Sequence, residues 1–551
     1  MIFKSRFLIP LLLCGVLAIT AQSCFDSDDY DMDRLSDKVE WTPNMIAPVG
    51  YGTYSLWYLL NEHELDINDQ TIFNENGNLV IKHRENDIFT YSVDDVLDFP
   101  NQLNQNISIF LGSFPGIPYA SIPNPMNFSQ VISIDAGGNN IILSELQFNA
   151  NLEFTLSNPL NTDLDLTVTF PSLMEGGSMV TRTFNLPAFT SNQLETINLS
   201  GATAAFKTPY SASNELDINF SVSIHDNASH IINGLGNLGV NLNVQNIDFI
   251  TAAGDFGQQT INIGTGSIDL GVDLWDDVDG EYRFTNPKIH LYLRNSVGVP
   301  FEIGANITGY NSSGRSANLN PQALQPGYPS NFSAGNPNTI DVLNNKLTYD
   351  KSNSNIVNLM ALPPSNRLDY FGNVNLNPDP VDIPTKPNIL SSSSRIDADI
   401  EIEIPLEFTA TNLSLQDTID DVDIDDADKV MNAAIVVTAE NGYPLDASIA
   451  SILLTDANYN VIDEIKDNEI IDAALVYTSG PMIGEVDPNS IKEVSHEIKL
   501  TQSQIANLDF TENIIINALV STENGGFPVK LKGDYQLKFT ISVQAQLDLS
   551  N

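Results

Sequence analysis

Period-two alternation of apolar and polar residues recurs through this chain and restricts it to sheet structure. Ile396, Ala398, Ile400, Ile402, Ile404, Leu406 and Phe408 alternate with Asp397, Asp399, Glu401, Glu403, Pro405 and Glu407. Successive side chains of a strand point to opposite faces, so this run predicts a strand with one face in a core and one in water. Pro405 has no N–H to give to a ladder, which predicts a sheet edge at that point. Leu216 to Ile224 and Leu537 to Leu549 repeat the pattern. The expected fold is all-β: tandem antiparallel β-sandwich domains with few short helices. Helical signals are brief. Ser55 to Glu62 offers Leu56, Leu59 and Leu60, Ser92-Val93-Asp94-Asp95 opens like a capping box, and Thr501 to Leu508 has Gln504 at the reciprocal capping position.

One unit recurs. An alternating run reaches an asparagine, a turn follows, and a second alternating run leaves. It occurs at Asn158-Pro159, at Asn295 before Pro300, at Asn441-Gly442-Tyr443-Pro444 and at Asn524-Gly525-Gly526-Phe527-Pro528. Asn and Gly tolerate positive φ and Pro fixes the exit, which predicts a hairpin-like connection. The starts are too unevenly spaced for a solenoid.

The amino-terminal segment carries an address. Lys4 and Arg6 precede an apolar run from Phe7 to Ile19, too short for a permanent membrane helix and proportioned like a signal peptide. The run leads to Ala21-Gln22-Ser23-Cys24, which resembles a bacterial lipobox with Ala in place of the usual Leu. The resemblance implies acylation of Cys24, with palmitate-like chains each adding about 0.8 kcal/mol of membrane affinity per buried methylene. Of the two cysteines, Cys14 would leave with the signal peptide, so thioether attachment explains a lone exported thiol and no disulfide can form. Ser27, Asp28, Asp29, Tyr30 and Asp31 resemble the surface-export signal of Bacteroidota lipoproteins, especially its Flavobacterium-like form. The asparagine–strand unit likewise resembles segments of large Bacteroidota lipoproteins. A solvated acidic tether is the plainer reading of the same residues.

The net charge is −46, from 70 acids against 24 bases. Nucleic acid and anionic head groups would be repelled, so neither is an expected partner. At ~100–200 residues per domain, the length implies several domains. The expected divisions are 1–23 signal peptide, 24–40 lipid-anchored acidic tether, 41–145 β-rich domain, 146–275 sandwich, 276–394 sandwich with long Asn/Ser/Pro-rich loops, and 395–551 sandwich. Asn311 to Asn338, and Leu362 to Ser394 with six prolines, look like surface loops or linkers.

Catalytic signatures are sparse. The six histidines include no zincin pair, and no G-x-S-x-G occurs. The expectation is a protein that is not an enzyme and has no cofactor. The densest constellation, Asp417 to Asp428, offers Asp421, Asp423 and Asp425 as calcium ligands. An EF-hand reading of it fails at Asp426, where the turn needs Gly, and at Asn432, where it needs Glu. A solvated acidic strand face fits the same spacing. Trp275, next to Asp276-Asp277, is the candidate sugar platform. Trp41 and Trp57, near Tyr51, Tyr54 and Tyr58, read as core.

These readings converge on a lipoprotein anchored in a Gram-negative outer membrane and facing the cell exterior. Its expected role is a non-catalytic interaction subunit of an outer-membrane protein assembly: transport, secretion or barrel-insertion machinery. The alternative is a glycan-binding surface lipoprotein of a polysaccharide-uptake system.

Overall fold

The computed structural model describes residues 42–55, 72–93, 97, 99–137, 140–225, 230–268, 279–310, 315–361, 367–379, 381–420, 429–466, 470–522 and 527–547. The chain is all-β, with antiparallel sheets and few short helices. Alternation predicts strand faces correctly. Leu216, Ile218, Phe220, Val222 and Ile224 are all buried on one side of their strand.

The largest sheet has nine strands: β4 (Gln102–Pro118), β5 (Met126–Ser133), β6 (Ile142–Ser157), β7 (Asp163–Glu175), β8 (Ser178–Leu186), β9 (Gln193–Ala205), β10 (Glu215–His225), β11 (Ile231–Asp255) and β19 (Asn388–Ser391). β6 pairs with β9 and β11, and β7 with β8 and β10. The two groups join where Leu173 and Met174 meet Ala204 and Thr203. Phe154 of β6 packs on Phe184 of β8 at 5.4 Å between ring centres, so the groups share one core. Each fully buried Phe or Leu there contributes roughly 1.5–3 kcal/mol.

A five-stranded sheet runs β17 (Leu343–Tyr349), β14 (Lys288–Asn295), β20 (Arg395–Pro405), β3 (Asn78–Ser92), β2 (Ile72–Glu75). A four-stranded sheet faces it, in the order β12 (Gln259–Ile268), β18 (Arg367–Leu376), β15 (Phe301–Tyr310), β16 (Ser316–Leu319). An apolar-walled void of about 30 Å³ lies between them, lined by Phe89, Leu291 and Ile396 from one sheet and Ile263, Phe301 and Val374 from the other.

A second pair of sheets begins with β1 (Asn44–Ser55), β29 (Gln536–Leu547), β22 (Val430–Asn441) and β26 (Glu493–Leu500), in that order. Its partner sheet follows β13 (Asp279–Phe284), β21 (Glu407–Ile419), β27 (Asn513–Thr522), β23 (Leu445–Thr455), β24 (Val461–Ile465). The short strands β25 (Ile470–Ile471) and β28 (Val529–Lys530) join β23 and β21. Ile498 of β26 packs with Ile452, Leu454 and Ile465 across the gap. Helix α1 (Ile356–Leu359) is one turn; α2 (Gln502–Asn507) has the expected capping box between Thr501 and Gln504.

Strand pairing crosses the expected divisions. β1 and β3, from the 41–145 segment, pair with β29 and β20, and β13 pairs with β21. Periodicity reveals a strand and its inward face but carries no information about its partner.

The asparagine unit joins strands that are not paired with each other, instead of forming hairpins. β6 and β7 are not neighbours, β14 and β15 lie in facing sheets, and so do β22 and β23. Nor do these asparagines supply positive φ, which falls elsewhere, as at Asn76 (φ 53°). Their buried side chains shape the arch. Each Oδ1 accepts the amide two residues on: Leu160 at 3.0 Å from Asn158, Val297 at 2.7 Å from Asn295 and Tyr443 at 2.9 Å from Asn441. Asn158 and Asn441 also donate to the carbonyl four residues on, at 2.8 and 2.9 Å. A side-chain amide that mimics backbone satisfies a turn whose own groups face the core. Asn524 lies outside the described residues.

Two proline readings change. β20 is a central strand, and Pro405 is its last residue, so the missing N–H falls where the ladder ends. There the chain passes into another sheet: Leu406 donates to the Leu79 carbonyl at 2.9 Å, Leu531 to Leu406 at 2.9 Å and Leu79 to Leu531 at 3.2 Å. The proline-rich segment 362–394 is no plain linker. It holds β18, central in its sheet, and the wholly buried β19, because its prolines flank proline-free stretches.

Candidate functional site

The densest polar constellation among the described residues is the outer face of the five-stranded sheet. β20 places Asp397, Asp399, Glu401 and Glu403 on that face, opposite its buried isoleucines. Antiparallel register sets Lys82 and Lys288 on either side of Glu403, and Arg84 and His290 on either side of Glu401. A quarter of the chain's 24 Lys and Arg residues gather here: Lys82, Arg84, Lys288, Arg294, Lys346 and Arg395. An otherwise acidic protein thus has one face of nearly balanced charge.

The expected water-facing side of β20 is partly closed. Arg84 Nη2 and Arg294 Nη1 approach Asp399 Oδ2 at 2.9 and 2.7 Å, and the Asp87 amide donates to Oδ1 at 3.0 Å. Their stems leave the Asp399 side chain 2% exposed. Burial alone would raise its pKa; the two guanidiniums and the amide outweigh that and bring it down to about 2. Arg84 also lies over the Tyr292 ring at 4.5 Å, with the Lys346 ammonium 5.1 Å from the same ring.

His290, Glu401 and Glu403 offer ligand atoms within 4.8 Å of one another, the spacing a metal ion would need. The donor set does not suit one. Lys288 Nζ is 2.7 Å from Glu403 Oε1, and the Tyr292 hydroxyl donates to Glu401 Oε1 at 2.9 Å. His290 is hydrogen-bonded at both ring nitrogens, to Thr348 Oγ1 at 2.8 Å and Glu403 Oε2 at 3.1 Å. A dication would have to displace an ammonium and break these bonds. The Thr348–His290–Glu403 chain has hydroxyl–imidazole–carboxylate connectivity, but its electrostatics oppose general-base work. Burial holds the imidazole pKa down against the pull of Glu403, and Lys288 shares the carboxylate that would stabilise an imidazolium. The face is a hydrogen-bonded ion lattice that locks β3, β20, β14 and β17 together.

No protein-family model matches the chain, and no curated protein matches its sequence. Among solved structures it is similar to a predicted secreted protein from Parabacteroides distasonis, at 11% identity and a TM-score of 0.29, covering 91% of this chain and 99% of that one. A broad bean stain virus structure follows at 11% identity and a TM-score of 0.15, covering 58% of this chain and 94% of that one. Infectious bursal disease virus, Gt strain, follows at 8% identity and a TM-score of 0.14, covering 88% and 82%. Likeness at these scores transfers neither topology nor function.

The residues singled out from sequence fall elsewhere. Cys24, Ser27, Asp28, Asp29, Tyr30, Asp31, Trp275, Asp421, Asp423 and Asp425 all lie outside the described residues, as do Trp41 and Trp57. Beside the aspartate run, Asp420 accepts a 3.0 Å hydrogen bond from the Tyr459 hydroxyl. Sequence reasoning missed the ion lattice. Its signal was present as two complementary runs, acids at alternate positions of 397–403 and Lys288, His290, Tyr292 and Arg294 at alternate positions of 288–294. Their adjacency is a fact of topology.

Proposed function

We propose that this protein is a surface-displayed outer-membrane lipoprotein of the Bacteroidota kind, acting as a non-catalytic interaction subunit of an outer-membrane assembly. That assembly would be a transporter, a secretion apparatus or the barrel-insertion machinery. The observation that carries the reading is Cys24 at a lipobox, followed at once by the acidic Ser27–Asp31 signal. Large all-β sheets and a polar constellation closed by its own ion pairs support a binding role over turnover. The stretch between Cys24 and Asn44 can span at most about 70 Å at ~3.3–3.6 Å per residue, which bounds how far β1 stands from the lipid.

The test is metabolic labelling with a palmitate analogue, cell fractionation and protease shaving, with wild type beside Cys24→Ala. Label in the wild type alone, envelope retention that needs Cys24 and loss of the protein on shaving are expected. An unlabelled wild type, or a Cys24→Ala protein that fractionates unchanged, overturns the anchor. Crosslinking in intact cells then tests the subunit role. A protein recovered free of any stoichiometric outer-membrane partner overturns it.

A further inference from the structure

We infer that the outer face of the four-stranded sheet β12-β18-β15-β16 is a stacking platform for a neutral glycan chain, centred on Phe371. This goes beyond the proposed role and does not rest on the lipid anchor.

Single exposed apolar residues are ordinary on protein surfaces. Phe371 differs in its setting. It is 54% exposed yet stands in mid-strand on β18, with β12 on one side and β15 on the other. Its cross-strand neighbours are Thr265 and Asn306, both exposed. The inward residues of the same strand, Leu368, Val374 and Leu376, are buried, so the core has no need of a phenyl ring on the other side.

The backbone around the ring is adapted to leave it open. β12 shifts register between Ile263 and Thr265, directly beside Phe371. The residue in that shift is Gly264, where a Cβ would meet nothing within 4 Å. Bulges of this kind re-aim side chains at sheet edges and near binding sites. Across β18, a Cβ on Gly304 would sit 2.7 Å from Asn373 Oδ1, so glycine there lets the Asn373 amide lie down across the strand.

Amides and hydroxyls make up most of the surroundings; the charged residues on this face are Asp369, held by Arg367 at 2.8 Å, and Glu302, opposite Asn375. Asn373 Nδ2 and Thr260 Oγ1 both donate to Asn375 Oδ1 at 2.9 Å, and Thr308 Oγ1 donates to Asn318 Oδ1 at 2.9 Å. These groups combine donors and acceptors without charge. A second ring, Tyr310, lies further along β15 with the Arg367 guanidinium 5.0 Å from its centre. At ~3.4 Å per residue and ~4.8 Å per strand it is roughly 14 Å from Phe371, a spacing that suits a chain and not a single small molecule.

A pyranose offers a flat C–H face for stacking and a rim of hydroxyls for amides, which matches this face. Nucleobases would stack as well, but their phosphates are repelled by a net charge of −46, as are acidic polysaccharides. That leaves a neutral glycan.

Affinity electrophoresis of the full chain tests this in gels containing a β-glucan, xylan or galactomannan, with alginate as the acidic comparison. Retardation by at least one neutral polysaccharide and none by alginate is expected. Phe371→Ala should abolish it, Tyr310→Ala weaken it several-fold, and Phe371→Trp keep or strengthen it. An unaltered melting temperature in Phe371→Ala and retained binding in Phe371→Trp separate loss of the ring from misfolding. The proposal is overturned if no neutral polysaccharide retards the wild type, if only alginate does, or if Phe371→Ala migrates as the wild type does.

Discussion

Arg294 reaches across the outer face of its sheet to Asp399, Nη1 lying 2.7 Å from Oδ2 of a carboxylate that Arg84 holds from the other flank. Removing the charge from a nearly inaccessible acid between two guanidiniums leaves both cations without their shared partner. Asp399→Asn is expected to cost about 2–3 kcal/mol. Arg294→Ala should cost less, because Arg84 remains at 2.9 Å. Urea midpoints of the two variants check the order.

The same pair sets an acid limb. The Asp399 pKa is about 2 in the fold, against ~3.9 for an aspartate in an unfolded chain. A depressed folded pKa gives stabilisation that is complete above pH ~4 and is lost as pH falls from there toward ~2. Melting temperatures of wild type and Asp399→Asn should therefore converge over that interval and run parallel above it.

The three arch asparagines should rank by the bonds they make. Asn158 donates to Thr162, Leu186 and Pro187 and accepts from Leu160; Asn441 donates to Leu445 and Asp472 and accepts from Tyr443. Asn295 Nδ2 is buried with no hydrogen-bond partner among the described residues. At ~1 kcal/mol per buried group left unsatisfied, alanine should cost about 4 kcal/mol at 158, about 3 at 441 and about 1 at 295. Equal losses at all three, read by chemical denaturation, would show that the arch is held by packing.

Tyr349 is fully buried, and its hydroxyl has no hydrogen-bond partner among the described residues; burial pushes its pKa up to about 12. Phe at this position removes an uncompensated polar atom and keeps the ring. Tyr349→Phe is expected to raise stability by about 1 kcal/mol, seen as a higher melting temperature. A lower one would reveal a partner for the hydroxyl.

Local patterns were legible in the sequence wherever local chemistry decides them. The inward face of β10, the capping box of α2 and the presence of an asparagine-centred connection could all be read from neighbouring residues. The role of that asparagine could not, since Asn158 and Asn295 act through buried side-chain amides and not through φ. That Pro405 ends a central strand was not legible, because the deciding partners, Leu79 and Leu531, are distant in sequence. The ion lattice escaped for the same reason: β3, β14 and β20 meet only in the folded chain. Phe371 stands on β18, whose flanking prolines mask the strand and whose partners β12 and β15 are distant in sequence.

β1 and β29 share a ladder from Asn44–Gln546 to Ser55–Gln536. A polypeptide that emerges amino end first can therefore complete this sheet only after nearly its whole length has appeared. Closure over so long a separation is slow, and β22 must wait beside an open edge until β29 arrives. Vectorial, piece-by-piece maturation is closed to such a topology, and the unpaired strand edges stay open to aggregation until the final strand is free.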